Sequence, residues 1–221
     1  MKRTLLLALL GMTLAACAGS LFKNKAAPPT MYMLGATRAT PGADPTGGEL
    51  LGGPLPGNNL PTDLAVLRPR VRAGLDTDRI AALYQDRHMD YFADVRWSGP
   101  LDEVLQDLAV QQFHANPGLG SVSADASVFG SPYWLEIEVT DFQAEYSSSG
   151  GPPTVHVHLQ ARIGNSGDRH VLGRFEPDVH EAAADNRMNA IVDAYNRAAD
   201  TALAEIAEGV ARTLKANAAV K

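Results

Sequence analysis

Two neighbouring stretches decide the fold: YWLEIEV at residues 133–139 and TVHVHLQARI at residues 154–163. Apolar and polar residues alternate in both. The apolar positions are Leu135, Ile137, Val139, Val155, Val157, Leu159, Ala161 and Ile163. Because successive side chains of a strand point to opposite faces, this period of two predicts two strands, each with one buried and one solvated face. The Ser-, Gly- and Pro-rich segment 147–153 between them is typical of a turn, so we expect antiparallel pairing.

Further strands are expected on both sides of this pair. Residues 164–168 carry hairpin turn residues, and a third strand over 171–175 would close a meander. Earlier in the chain, residues 31–34 and 64–67 are predicted to form short strands, with Pro69 marking an end or an edge. We expect these two strands to lie in the same sheet as the meander.

Two segments have the period of a helix with one apolar face. In the first, Ser98 is a suitable N-cap, Pro100 suits the first turn, and apolar residues follow at helical spacing from Leu101. The second is the last segment of the chain, and its apolar face is Met188, Ile191, Val192, Tyr195, Ala199, Ala202, Leu203, Ile206, Val210 and Leu214. The order of elements predicts an α+β fold, with a single mixed, largely antiparallel sheet and two main helices packed on one face.

The N-terminus carries the pattern of a lipidated, exported protein. Lys2 and Arg3 precede an apolar run at 5–12, and Leu-Ala-Ala-Cys ends at Cys17. This resembles a bacterial lipoprotein signal peptide, in which residues 1–16 are cleaved and Cys17 carries covalent lipid. The alternatives are an ordinary secretory signal or a short N-terminal membrane helix. The apolar run is shorter than the roughly 20 residues that a membrane span needs.

The remaining chain is predicted to form one tethered domain. Residues 17–30 would be the tether and residues 31–221 a single periplasmic α+β domain, with a Pro/Gly-rich loop at about 39–61. Several acyl chains on Cys17 would hold this domain stably at a membrane surface. Ala18, rather than Asp, follows the cysteine, and resemblance to the sorting rule of Gram-negative lipoproteins implies the outer membrane, facing the periplasm.

Composition excludes several functions. The chain has 19 basic and 25 acidic residues, and loss of Lys2 and Arg3 with the signal would change the formal charge from -6 to -8. An acidic chain is a poor nucleic-acid ligand, so no nucleic-acid partner is expected. With Cys17 lipidated, no cysteine remains for a disulfide, a zinc thiolate or a thiol nucleophile. Stability is therefore expected to come from packing alone.

Several polar segments are candidates for catalytic or binding sites. Asp76 or Thr77 would cap a short helix over 79–83 rather than perform acid/base chemistry. Arg79 and Arg96 could bind a partner or a lipid phosphate through their guanidinium groups, but surface or structural pairing is the favoured explanation. The Ser- and Gly-rich segments lack the Gly-x-Ser-x-Gly elbow of a serine hydrolase, and no catalytic residue is predicted.

Three histidines are candidate metal ligands. His156 and His158 are two residues apart on a predicted strand and would share a face, and His170 on the next strand could join them. A solvent-facing row of polar residues explains the same pattern with fewer assumptions. We therefore expect no metal and no cofactor other than the lipid on Cys17.

The remaining motifs resemble those of a known family. They are YML at 32–34, LDTDRI at 75–80 and YFADVRW at 91–97. The most specific element is Arg96 and Trp97 followed by Pro100 and Leu101, a possible partner or structural motif in which Trp97 is favoured as a core residue over an interface residue. This pattern resembles the ABC-type transport auxiliary lipoprotein family, which includes the lipoprotein of the paraquat-inducible Pqi system.

This resemblance implies a non-enzymatic lipoprotein anchored in the outer membrane. Its partners would be a mammalian-cell-entry-type transporter protein with an ABC permease and ATPase, and the system would move lipid between the two membranes. Homo-oligomerisation is also implied, since some relatives form rings. The chain lacks the Gly-x-x-x-x-Gly-Lys-Ser/Thr phosphate loop of a motor subunit. Two alternatives stay open: a structural envelope lipoprotein without a transport role, and a metal-dependent envelope hydrolase.

Overall fold

The structure, a computed structural model, describes residues 27–35, 63–116, 118–124 and 130–219. Cys17, the signal peptide, most of the expected tether and the Pro/Gly-rich loop at 39–61 lie outside the described residues. Within the described part of the chain, neither helix combines the length and the apolar character that crossing a bilayer requires.

The described chain forms ten strands and two helices. The strands are β1 (Thr30–Tyr32), β2 (Leu64–Val66), β3 (Arg70–Val71), β4 (Arg79–Tyr84), β5 (Met89–Trp97), β6 (Val122–Ala124), β7 (Tyr133–Tyr146), β8 (Thr154–Asn165), β9 (Val171–Phe175) and β10 (Asp178–Ala182). The helices are α1 (Leu101–Ala115) and α2 (Met188–Ala219). All ten strands belong to one sheet, and the fold is α+β as predicted.

The long antiparallel pair β7–β8 is the centre of the sheet. Leu135 lies opposite Ile163, and Phe142 lies opposite Val157. A bulge after Val139 shifts the register by one residue, so the buried positions of β7 change phase along the strand. Residues 133–139 and 154–163 therefore form the antiparallel pair that their alternation predicts.

Short strands extend the sheet on both sides of this pair. Strand β7 pairs with β8 along one edge. Along its other edge it pairs with β2, β3 and β4 in turn, each parallel to it. Strand β5 pairs antiparallel with β4, and β1 pairs parallel with β5. Strands β9 and β10 share the far edge of β8. The two early strands thus lie in the common sheet, and β9 closes the predicted meander, whereas β3, β5, β6 and β10 had not been assigned as strands.

Both helices contribute to a core on one face of the sheet. Helix α2 packs over β8, β9 and β10, and α1 packs against α2, β2 and β6. Gln112 Nε2 on α1 donates a hydrogen bond to Asp200 Oδ1 on α2 at 2.7 Å. The alternate positions of β8 that face this core are all buried. The other face of β7 and β8 carries the polar residues of the alternating pattern.

Two local predictions are wrong. Residues 79–83 are not a helix but part of β4, because β4 finds hydrogen-bonding partners in both β5 and β7. Ser98 is not the N-cap: α1 begins at Leu101 after Pro100, with no side-chain capping hydrogen bond. The Ser98 N–H instead donates to the Tyr32 carbonyl at 2.8 Å, which ties β1 to the start of the helix. In both cases a distant partner outweighs a local preference.

Candidate functional site

A buried aromatic cluster of Trp97, Phe142 and Tyr195 lies beneath the corner between β5 and α1. Trp97 is 1% exposed, and its ring centroid lies 6.0 Å from that of Phe142 and 5.2 Å from that of Tyr195, both edge-on. The structure thus places Trp97 in the core. Edge-on contacts of this kind add to the stabilisation that large aromatic side chains gain from burial.

The hydroxyl of Tyr195 has a defined partner in the core. It donates a hydrogen bond to the carbonyl oxygen of Ala81 on β4 at 2.8 Å. Complete burial raises the pKa of Tyr195 well above its ordinary value, because the phenolate would be desolvated there. The Tyr195 hydroxyl therefore stays neutral and connects α2 to β4 through this hydrogen bond.

The motif residues around Trp97 build the corner itself. The Trp97 N–H donates to the Asp78 carbonyl at 2.7 Å, and the Leu101 N–H donates to the Thr77 carbonyl at 3.2 Å. Arg96 Nη1 lies 2.6 Å from Asp78 Oδ1. Pro100 immediately precedes the helix, and its carbonyl accepts from the N–H of Val104 at 3.1 Å. These contacts join the segment before β4 to the beginning of α1.

The second candidate arginine also has an intrachain contact. The guanidinium carbon of Arg79 lies 4.1 Å from the centroid of the Tyr91 ring, within the range of a cation–π interaction. Arg79 and Arg96 are register partners across β4 and β5. The structure therefore brings the two arginines together, each engaged by a side chain of its own domain.

A third arginine, which the sequence reasoning missed, fixes the start of α1. Arg68 donates to Asp102 and to Glu103 in the first turn of the helix. This guanidinium holds the pKa of Asp102 below its ordinary value. Acidic residues in a first turn interact favourably with the helix dipole, but their partner after β2 is not evident from the local sequence.

The polar face of the sheet carries a row of ion pairs. Glu136 Oε1 lies 3.0 Å from Arg70 Nη2, and Glu136 Oε2 lies 2.6 Å from Arg162 Nη2. A shallow depression of about 310 Å³ lies beside these residues and is also lined by Arg174 and Glu176. Both signs of charge line it, so it offers neither a one-sided anion site nor an apolar surface.

At the other end of this face lies a histidine cluster of His156, His158 and His180. The rings of His156 and His158 are nearly parallel, with centroids 6.3 Å apart. His156 and His180 are direct register partners across β8 and β10, with centroids 4.1 Å apart. Among the described residues, His156, His180 and Asp178 form a group whose potential ligand atoms all lie within 4.8 Å of one another.

The third histidine of this cluster is His180 and not the candidate His170. His156 and His158 share a face, as the spacing indicated. His170 lies between β8 and β9, where its carbonyl accepts from the Asn165 N–H. At about 3.3 Å per residue, this end of β8, at Asn165, is roughly 30 Å from His156. His180 could have been found from the alternation of Asp178, Val179, His180 and Glu181, which is itself a strand pattern.

Comparison with known proteins connects this architecture to a family. The family model for the ABC-type transport auxiliary lipoprotein component matches residues 53–207, which include most of the sheet and much of α2. The chain belongs to this family. This auxiliary lipoprotein is accordingly a membrane-anchored envelope component associated with an ABC-type transport system. No curated protein matches the chain.

Solved structures share the fold of this auxiliary lipoprotein. The crystal structure of protein XCC0632 from Xanthomonas campestris matches with a TM-score of 0.67 and 19% identity, covering 86% of this chain and 97% of the other. The crystal structure of an uncharacterized protein matches with a TM-score of 0.62 and 15% identity, covering 83% and 99%. At these identities the likeness establishes the fold alone.

Proposed function

We propose that this auxiliary lipoprotein is the outer-membrane dock of an intermembrane lipid transport system of the mammalian-cell-entry type. The observation that carries the proposal is the family match over residues 53–207, which spans most of the described domain. Lipid on Cys17 would anchor the chain, and the domain would face the periplasm. The permease and the ATPase would be separate chains, and this subunit would perform no catalysis.

The physical advantage of such a dock is effective concentration. A domain confined to a membrane by a tether meets its partner repeatedly, so a weak interface suffices for stable association. The polar face supports a protein partner over direct binding of acyl chains. Its depression is lined by Arg70, Glu136 and Arg162 with other charged residues, and burying such groups against hydrocarbon is costly. We therefore propose that the domain positions a transporter protein.

The test is crosslinking in intact envelopes, followed by affinity capture and mass spectrometry. Wild type is compared with Cys17→Ala, which removes the lipidation site, and with Ser20→Ala as a matched control in the same segment. We expect a mammalian-cell-entry-type protein and its permease to be captured with wild type and with Ser20→Ala, and in much smaller amounts with Cys17→Ala. Capture of no transporter component by wild type would refute the proposal.

Two further parts of the proposal have their own measurements. Separation of inner and outer membranes by density should place wild type in the outer-membrane fraction and should deplete Cys17→Ala from that fraction. Light scattering on the purified chain should give a mass that is a multiple of the monomer, as homo-oligomerisation requires. Recovery in the inner membrane would refute the proposed location, and a monomeric mass would refute the oligomer.

A further inference from the structure

We infer that His156, His180 and Asp178 form a binding site for a divalent transition-metal ion, with Zn²⁺ as the ion that fits best. Nε2 of His156 lies 2.8 Å from Oδ1 of Asp178, and Nδ1 of His180 lies 3.8 Å from the same oxygen. Cross-strand pairing sets two of the ligands, since His180 lies opposite His156 in register. Asp178 is two residues from His180 and therefore projects from the same face of β10.

A hydrogen-bond chain behind His156 holds its ring in the orientation that metal binding needs. Nδ1 of His156 lies 2.9 Å from Oε1 of Glu145, so Nδ1–H can donate to this carboxylate. That hydrogen bond leaves the lone pair of Nε2 directed toward Asp178 and His180. A carboxylate that accepts from the second ring nitrogen is the usual partner of a metal-ligating histidine, because it fixes the tautomer and raises the basicity of the ligand.

Glu145 is itself fixed by a buried residue. Gln143 is only 2% exposed, and its Nε2 donates to Oε1 of Glu145 at 3.0 Å and to Oδ1 of Asp141 at 3.1 Å. The side-chain oxygen Oε1 of Gln143 accepts from the Phe142 N–H at 2.9 Å. The orientation of His156 is therefore determined by a chain of contacts that begins inside the sheet.

The chemistry of the donors selects among ions. Two imidazoles and one carboxylate suit Zn²⁺ and its neighbours in the first transition series, whereas Ca²⁺ and Mg²⁺ prefer sets composed of oxygen alone. The side chains of Asp178 and His180 are about half exposed, so an ion can reach the site, and water can complete its coordination. Asp141 and Glu176, which flank the parallel ring of His158, add negative charge nearby.

The competing explanation is a hydrogen-bonded surface cluster that binds no metal. In that case both nitrogens of a protonated His156 would donate to Glu145 and Asp178, and His180 would merely pack against the ring. The two explanations differ in what the removal of His180 does. A metal site loses a ligand, whereas a hydrogen-bonded cluster loses only an exposed neighbour.

Isothermal titration of the purified full chain, solubilised in detergent and stripped of metal with a chelator, distinguishes the two. We expect ZnCl₂ to bind at one ion per chain, and CaCl₂ under the same conditions to give no binding. His180→Ala should weaken Zn²⁺ binding by more than tenfold. Glu145→Ala should weaken it by about 10- to 100-fold, the range expected when a hydrogen-bonded partner of a ligand is lost. His170→Ala is the matched control, since it removes an exposed histidine outside the cluster.

Thermal unfolding of the same samples provides a second readout. A site present only in the folded chain raises the melting temperature when Zn²⁺ is added, and at the same Zn²⁺ concentration the rise should be kept in His170→Ala and clearly smaller in His180→Ala. Equal binding by wild type and His180→Ala, or no binding by wild type, would overturn the inference. Because these measurements use the isolated chain, their failure leaves the proposed docking role untouched, and failure of the docking experiment leaves the metal site untouched.

Discussion

The two faces of the sheet carry side-chain clusters that differ in polarity, the apolar aromatic cluster on one face and the polar histidine cluster on the other. The aromatic cluster lies between the sheet and α2, where Trp97 packs edge-on against Phe142 and Tyr195, and the Tyr195 hydroxyl donates to the Ala81 carbonyl. The histidine cluster lies on the polar face, where ring nitrogens meet carboxylates at 2.8–3.3 Å. Alternation of side chains places Phe142 of β7 on one face of the sheet and His156 of β8 on the other, so the difference between the clusters reflects what covers each face.

This difference indicates how stability and binding are distributed in the domain. Buried apolar area and close packing stabilise the helix-covered face, whereas partly exposed ion pairs contribute little to the free energy of unfolding. The polar face is therefore free to vary without loss of the fold. We expect substitutions on the helix-covered face to change stability, and substitutions on the polar face to change binding.

Trp97→Ala should have the largest effect and is the most direct challenge to this comparison. Removal of a fully buried indole should lower the free energy of unfolding by about 3–5 kcal/mol, through lost transfer energy and the cavity that remains. Denaturant unfolding followed by circular dichroism measures it. Tyr84→Ala is the control, because Tyr84 stacks on Tyr146 but is 41% exposed. Equal losses in the two variants would contradict the assignment of Trp97 as the core anchor.

Gly209→Ala tests how closely α2 approaches the sheet. A Cβ at this position would lie 2.4 Å from Cε1 of Phe175 on β9, so the ring must move. We expect a loss of about 1–3 kcal/mol in the free energy of unfolding, as for other overpacked cores. Glu208→Ala, on the exposed neighbour, is the control. In a helix without this contact, alanine would instead stabilise by up to about 1 kcal/mol, and a gain of that size would disprove the close packing.

Tyr195→Phe tests the hydroxyl group of the aromatic cluster. Loss of the hydrogen bond to the Ala81 carbonyl should cost about 1 kcal/mol near neutral pH. The raised pKa of Tyr195 also predicts a pH dependence: above about pH 10 the unfolded chain ionises this tyrosine while the folded chain does not, so stability falls as pH rises. Equilibrium unfolding at several alkaline pH values should show a shallower fall in the variant than in wild type, and identical slopes would count against the buried neutral phenol.

Arg162→Ala should have the smallest effect, and its neighbour on β8 sharpens the comparison. Glu136 keeps Arg70 as a second partner, so the free energy of unfolding should change by less than about 1 kcal/mol. Ile163→Ala, one residue further on and facing the core, should cost about 2–5 kcal/mol. Thermal and denaturant unfolding of both variants measures the contrast. If Arg162→Ala and Ile163→Ala lowered the free energy of unfolding equally, the polar face would contribute to stability as much as the core does.

Much of the fold was predictable because its strongest signals are local. The alternation over 154–163 follows from the geometry of a single strand, and the apolar face of α2 follows from the geometry of a single helix. The prediction over 79–83 failed because its apolar residues fit either state at that length. Pairing with β5 and β7 decided it in favour of β4.

The candidate site was less predictable, because its residues meet only through strand register. The bulge after Val139 sets which residues of β7 lie opposite β8, so that Gln143 rather than Phe142 faces the same side as His156. The sequence indicated that His156 and His158 share a face and offered His170 as the one candidate for a third member. Register across β8 and β10 selects His180 instead.

The sequence by itself determined the α+β class, the central antiparallel pair, the two helices and the family resemblance, since each depends on short-range periodicity or on contiguous motifs. The tertiary structure alone decided the strand identity of β4, the partners of Arg68, Arg79 and Arg96, and the residues that surround His156. The physical reason is that side-chain periodicity is a property of one segment, whereas partners are chosen by the topology and register that bring distant segments together.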